Sequence, residues 1–222
     1  MKSLHKIFDI LEYVVLRDGG KITPSEAAEF TGLNLATCTR IMGELVARGY
    51  LDKVSRREGY IPGPMCAALA MRRNSYTRLA RAAKEPLREL SEFVGMPVNL
   101  SVVSGKRRIM IACCCGDPGW KPWDRFGFSL DAGGMATNPL LLAFGNERSV
   151  ESGELRKKGY VNFYDEAAKL WIQGYAVRIP GYPVAAFGYG VPAGVDPEQA
   201  LTLAAEAARK MEETLASHYQ AY

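Results

Sequence analysis

The residues best suited to chemistry lie between 25 and 57, and the chemistry they suit is hydrogen bonding and charge pairing rather than bond making. Asn34, Ala36, Thr37, Thr39 and Arg40 share the outer face of one turn and a half if this stretch is helical. Short hydroxyl and amide groups beside one guanidinium match the base edges of a duplex major groove, where arginine can fork onto guanine. Ser25 precedes them at the start of another helical pattern, within reach of an adjacent phosphate. Lys53, Arg56 and Arg57 follow as a tight basic group, suited to the sequence-blind grip of a sugar–phosphate backbone.

Catalytic chemistry finds no comparable constellation. The chain has no G-x-S-x-G, no glycine loop of the phosphate-cradling kind and no paired metal-binding histidines, since His5 and His218 stand near opposite ends. Five cysteines (Cys38, Cys66, Cys113, Cys114 and Cys115) contain no C-x-x-C, so no zinc site is expected, no cofactor, and no enzyme. On a strand Cys113 and Cys115 share a face while Cys114 points away. Either these thiols fill a sheet, or Cys113 and Cys115 have a redox or ligand-contacting role.

Positioning the candidate groups requires two helices and a hairpin. Thr23-Pro24-Ser25-Glu26 reads as a capping box with proline at the first helical position, and Gly32 as the left-handed stop. Asn34 caps a second helix whose Cys38, Ile41, Met42 and Leu45 point inward. Tyr50 to Val54 and Tyr60 to Pro62 alternate as strands around the polar turn Ser55 to Gly59, which carries the basic group. Helix, turn, helix and basic hairpin in that order make a winged helix. An earlier helix from Ser3 places Leu4, Ile7, Phe8, Leu11, Val14 and Val15 on one stripe. Ile10 and Tyr13 widen it, either for deep packing or for a dimer edge.

Three runs carry a specific resemblance: SLHKIFDILEYV at 3–14, SEAAEFTGLNLATCTRIMGELVARGYL at 25–51 and GYIPGP at 59–64. They are similar to the N-terminal half of the IclR family of bacterial transcription regulators. The resemblance implies an α+β protein: a winged helix-turn-helix DNA-binding domain over 1–64, a helical connector over 65–85 and a GAF-like effector-binding domain over 86–222. It also implies operator DNA as partner, a homodimer or dimer of dimers, and a small organic acid or aromatic compound as effector.

Beyond residue 64 the pattern expects a helical connector from about Cys66, kinked or restarted at Pro86, with Arg72, Arg73, Arg78 and Arg81 on its solvent side or near DNA. Val98 to Val102 and Arg108 to Cys115 read as a hairpin about Ser104-Gly105-Lys106. Trp120, Trp123 and Arg125 sit in an aromatic loop that lines a pocket or plugs a core, the arginine being able to meet a carboxylate. Met135, Ala136 and Thr137 occupy the place of a family motif that faces effector. Asn138-Pro139 opens a helix there, where the family usually continues with Gly-Lys. A polar segment to Lys158 and a helix over 164–173 follow. Gly174-Tyr175-Ala176 resembles a family segment, after which a stretch holding ligand in relatives is missing. The last strand spans 182–191, and a final helix is capped by Asp196.

Charge supports this division. Residues 1–85 hold 14 Lys and Arg against 9 Asp and Glu, a balance of +5, and residues 86–222 hold 14 against 15, a balance of −1. No run of about 18 apolar residues occurs, and the N-terminus lacks a signal-peptide pattern, so a cytoplasmic protein is expected, with no membrane partner. The rival from another class is a winged helix used for protein–protein contact or dimerisation, its C-terminal domain having lost ligand.

Overall fold

Caps and apolar spacing decide the first third of the chain. A computed structural model describes residues 2–16, 20–55, 57–71, 74–115, 135–145 and 150–219, in two units, one over Met1–Arg72 and one beginning at Arg73. The first unit contains α1 (Lys2–Val15), α2 (Pro24–Thr31), α3 (Leu35–Ala47), the hairpin of β1 (Leu51–Ser55) and β2 (Gly59–Pro62), and α4 (Pro64–Ala70). The expected capping box is present: the Glu26 amide donates to Thr23 Oγ1 at 3.3 Å, and the Thr23 amide donates to Glu26 Oε2 at 2.8 Å. Gly32 ends α2 with φ 66°, in the left-handed region.

Ile10, Val14, Ile22, Ala27, Cys38, Met42 and Leu51 form the centre of this unit's core. The α1 stripe is rotated from the expected one. Ile10 is fully buried, whereas Leu4 and Phe8 are 56% and 51% exposed. The seat for α1 is built by α2, α3 and β2 together, and the sequence pattern took account of the helices alone. The β2 contribution depends on a third, one-residue strand that the sequence analysis missed. Ile22 and Tyr60 exchange both backbone hydrogen bonds at 2.9 Å. Gly59, with φ 91°, makes this possible, because a Cβ there would lie 2.4 Å from the Ile22 carbonyl oxygen.

The second unit comprises α5 (Ser75–Val94), β3 (Val98–Ser104), β4 (Arg107–Cys114), α6 (Thr137–Phe144), α7 (Val150–Lys158), β5 (Tyr160–Asp165), β6 (Leu170–Val177), β7 (Ala185–Val191) and α8 (Pro197–Tyr219). The five strands run β4-β3-β7-β6-β5, each antiparallel to its neighbours. Helices α5 and α8 bury Leu79, Leu87, Leu90, Ala204 and Met211 on one face of the sheet, around Leu100 and Phe187. On the other face α6 places Leu140 and Leu141 against Val161, Ala176 and Ala186.

Three local expectations change, and at Pro86 one of the two alternatives falls away: no new helix starts there, since α5 runs through it. Burial of Ala83, Leu87, Leu90 and Val94 on either side offsets the lost backbone bond, a cost of about 3 kcal/mol. The helix expected over 164–173 is instead the β5–β6 hairpin. Asp165 Oδ1 accepts the amides of Ala167 and Ala168 at 2.9 and 3.0 Å, closing a turn that Lys169 completes at φ 54°. The Tyr164–Trp171 and Tyr160–Tyr175 ring pairs then hold the strands together. The polar segment before Lys158 is α7, which lacks an apolar stripe because Ser152 is its one buried residue. Helix α6 starts at Thr137, with Ala136 rather than Asn138 at the cap position.

Candidate functional site

Helix α3 presents the expected face. Its interior side chains Cys38, Ile41, Met42 and Leu45 are buried, which forces Ala36, Thr39 and Arg40 outward, all three exposed. Asn34, also exposed, spends its carbonyl oxygen on the cap, accepting the Thr37 amide at 2.8 Å and leaving its NH₂ outward. Thr39 Oγ1 donates to the Leu35 carbonyl at 2.8 Å, so the hydroxyl is held against the helix. Thr37 is half-buried. Arg40 shares a cleft between α1 and α3 with Lys6, Glu44 and Arg48, and the Lys6 ammonium donates to the Thr31 carbonyl.

The flanking groups fall on the same unit. Ser25 is exposed in the first turn of α2, where the capping box already takes the Thr23 and Glu26 amides. Lys53 is exposed on β1 with its ammonium 5.9 Å from the Tyr60 ring centroid, and Arg57 is exposed in the turn between β1 and β2. Arg56 lies outside the described residues. Lys21 pairs with Glu58 at the hairpin's end, and that hydrogen bond and charge hold the Glu58 carboxyl below the usual carboxylate range. The arrangement can hydrogen-bond base edges from α3 and neutralise phosphates from the hairpin.

The remaining candidates come later in the chain. Trp120, Trp123 and Arg125 lie outside the described residues. Ala136 and Thr137 are buried at the start of α6 and Met135 is half-buried. They pack against a floor without side chains: a Cβ on Gly174 would fall 2.8 Å from Ala136 Cβ, and one on Gly188 would fall 3.1 Å from Thr137 Cγ2. Cys113 and Cys114 point to opposite faces, as strand alternation requires. The Cys114 thiol donates to the Lys84 carbonyl at 3.4 Å on the α5 side. Cys115 is half-buried just past the strand end. Burial, aided by the neighbouring thiols, pushes Cys113 up to about 12. It is therefore a poor thiolate at neutral pH. Among the described residues no group of three or more His, Cys, Asp or Glu side chains is placed to hold a metal ion.

Three residues in this unit escaped the sequence analysis. In the sequence Asn99 and Ser101 alternate with Val98, Leu100 and Val102, and Arg108 only begins the returning strand. Ser101 and Arg108 are instead buried, at 0% and 3% exposure, and Arg108 Nη1 donates to Thr137 Oγ1 at 3.4 Å. The glycines at 174, 188 and 190 were the available signal, because small residues on one face of a sheet admit a closely packed helix.

Comparison with known proteins agrees with both halves. Residues 5–52 match the family model described as winged helix-turn-helix DNA-binding. Solved structures match nearly the whole chain. An IclR homologue from Microbacterium hydrocarbonoxydans, complexed with 4-hydroxybenzoate, superposes with a TM-score of 0.72 at 20% identity over 96% of this chain and 99% of its own. The chain has the fold of an IclR-type regulator. The IclR-type transcriptional regulator of Alicyclobacillus acidocaldarius gives a TM-score of 0.68 at 19% identity, covering 96% of this chain and 98% of that one. Thermotoga maritima IclR gives 0.59 at 20% identity, covering 97% and 99%. No curated protein sequence matches the chain. Among the described residues, no helix of this IclR-type fold is long and apolar enough to cross a membrane.

Proposed function

We propose that this protein is a DNA-binding transcription regulator of the IclR type, acting in the cytoplasm as a homodimer and carrying no enzymatic activity. The observation that supports it most is the exposed face of α3, with Asn34, Ala36, Thr39 and Arg40 outward beside a hairpin that bears Lys53 and Arg57. In this reading residues 1–64 bind DNA, 65–85 connect, and 86–222 sense a small molecule. Arg40 reads a base edge; Ser25, Lys53, Arg56 and Arg57 hold phosphates. A dimer would cover the exposed Leu4 and Phe8 of α1 and would favour two half-sites about one helical turn, or a multiple, apart.

An effector belongs to the same reading. The Microbacterium relative was crystallised with 4-hydroxybenzoate, and this chain has the same fold. Its effector site is proposed at the start of α6, around Met135, Ala136 and Thr137, with Cys113, Cys115, Trp120, Trp123 and Arg125 as further candidates. The test is selection of duplexes from a random library followed by salt titration. The expected outcome is a two-fold symmetric sequence whose affinity falls steeply with salt as counterions are released. A protein that retains no duplex at low ionic strength overturns the reading.

A further inference from the structure

The sheet of the second unit begins and ends on strands of different character. At one end β4 carries Arg107 and an inward Arg108, and its pairing with β3 slips register between Leu100 and Ser101. Charges and register breaks are the usual means of keeping an end strand from recruiting another chain. At the other end β5 has neither. Its run Tyr160-Val161-Asn162-Phe163-Tyr164 holds no charge and no proline, and it pairs with β6 in unbroken register from Tyr160–Tyr175 to Asp165–Leu170. Among the described residues no strand pairs with its outer side. Val161 packs in the cluster under α6, so Phe163 shares that face and Tyr164 lies on the other. Both of these aromatic side chains are exposed.

The sequence around β5 complements itself. Lys157 and Lys158 end α7 just before the strand and Glu166 follows it, all three exposed. Two antiparallel copies in one sheet are related by a two-fold axis normal to it, so each residue meets one of its own face. With the axis at Asn162, Phe163 meets Val161 of the second copy, Tyr164 meets Tyr160, and Glu166 meets Lys158. Aromatic and β-branched residues opposed in this way stabilise a strand pair, as do opposite charges. Moving the axis to Phe163 sets Asp165 against Val161 and Glu166 against Tyr160. Moving it to Val161 sets Tyr164 against Lys158 and Phe163 against Gly159. Only the middle register pairs apolar with apolar and acid with base.

We propose that β5 is a self-association edge: two copies pair β5 with β5 about Asn162 and join their five-stranded sheets into one. The occupant is a second copy of this chain. The contact belongs to the second unit, apart from the α1 contact of the first, and it depends neither on DNA nor on an effector.

The test is sedimentation of the full chain together with cysteine cross-linking. A chain carrying Leu4→Glu and Phe8→Glu, which removes the α1 contact, is expected to remain a dimer through β5. Adding Phe163→Lys, a charge on the shared edge, should turn that dimer into a monomer. Tyr164→Glu replaces Phe163→Lys if the latter does not fold. Opposed Cα atoms lie about 4.5–5.5 Å apart, within disulfide reach. Under mild oxidation Asn162→Cys should therefore link two copies where the unaltered chain does not, and a mixture of Tyr160→Cys and Tyr164→Cys chains should link to each other. A chain lacking the α1 contact that sediments as a monomer overturns the proposal, as does one whose mass ignores the edge charge. Failure of Asn162→Cys to link copies overturns it as well. Each of these results leaves the DNA-binding reading standing, because duplex affinity is measured separately.

Discussion

In the first unit the core residues Ile10, Val14, Met42 and Leu51 are apolar, and the groups able to recognise a ligand stand outside on α3 and the hairpin. The second unit reverses this: Ser101 and Arg108 lie inside, under α6, and its solvent faces carry ordinary ion pairs such as Lys210–Glu89 at 2.6 Å. Under the proposed function the reversal follows from ligand size. A duplex is met on a surface, with screening salt and water present, whereas a small molecule needs a buried site that replaces its water shell. Recognition in the first unit should therefore tolerate loss of single contacts, and recognition in the second should not.

The largest expected effect separates the two cores. Phe187 is fully buried between Tyr175 and Tyr189, with ring centroids 6.1 and 6.4 Å away, and Phe187→Ala should cost about 3–5 kcal/mol. With Trp120 and Trp123 replaced by phenylalanine, Trp171 on β6 is the one tryptophan left, so its fluorescence in urea reports this unit, and its midpoint should drop while DNA-binding by the first unit survives. Next, Gly59→Ala should cost the first unit roughly 2–3 kcal/mol, from positive φ and the contact with Ile22. Circular dichroism should show an early transition that tryptophan fluorescence does not follow. Joint movement of both signals would mean the units fold as one, which breaks the comparison.

Arg40→Ala is a smaller change, and on binding rather than stability. It should cost about 1–3 kcal/mol on the selected sequence and much less on random DNA if the guanidinium reads a guanine. Equal loss on both would make it a phosphate contact. The smallest effect is expected at the hairpin's end. Glu58 has its pKa lowered by Lys21, so its stabilising contribution is present at neutral pH and disappears as pH falls through its depressed value. The pair is exposed, and Glu58→Gln should leave the melting temperature at neutral pH unchanged within error.

The same contrast explains what was legible in the sequence. Caps, glycine turns and inward stripes of the first unit act within a few residues, so Thr23, Gly32, Asn34 and Cys38 could be placed from spacing alone. The exceptions, Ile22–Tyr60 pairing and the rotated α1, both depend on contacts far apart in sequence. In the second unit such contacts dominate. The β3–β4 hairpin and the Asp196-capped α8 were readable because they are local. The β5–β6 hairpin was not, since Ala167, Ala168, Leu170 and Trp171 also fit helical spacing and only cross-strand aromatic pairing decides. Asn99, Ser101 and Arg108 were missed because polar residues on a strand ordinarily mark its solvent side.

The hydroxyl of Thr39 is tethered to the Leu35 carbonyl, which turns its γ-methyl toward whatever α3 meets. An alkyl group in that position prefers thymine's C5 substituent to cytosine's bare edge. Swapping a single thymine for deoxyuridine within the preferred duplex should then weaken complex formation, although every Watson–Crick pair and every phosphate is retained.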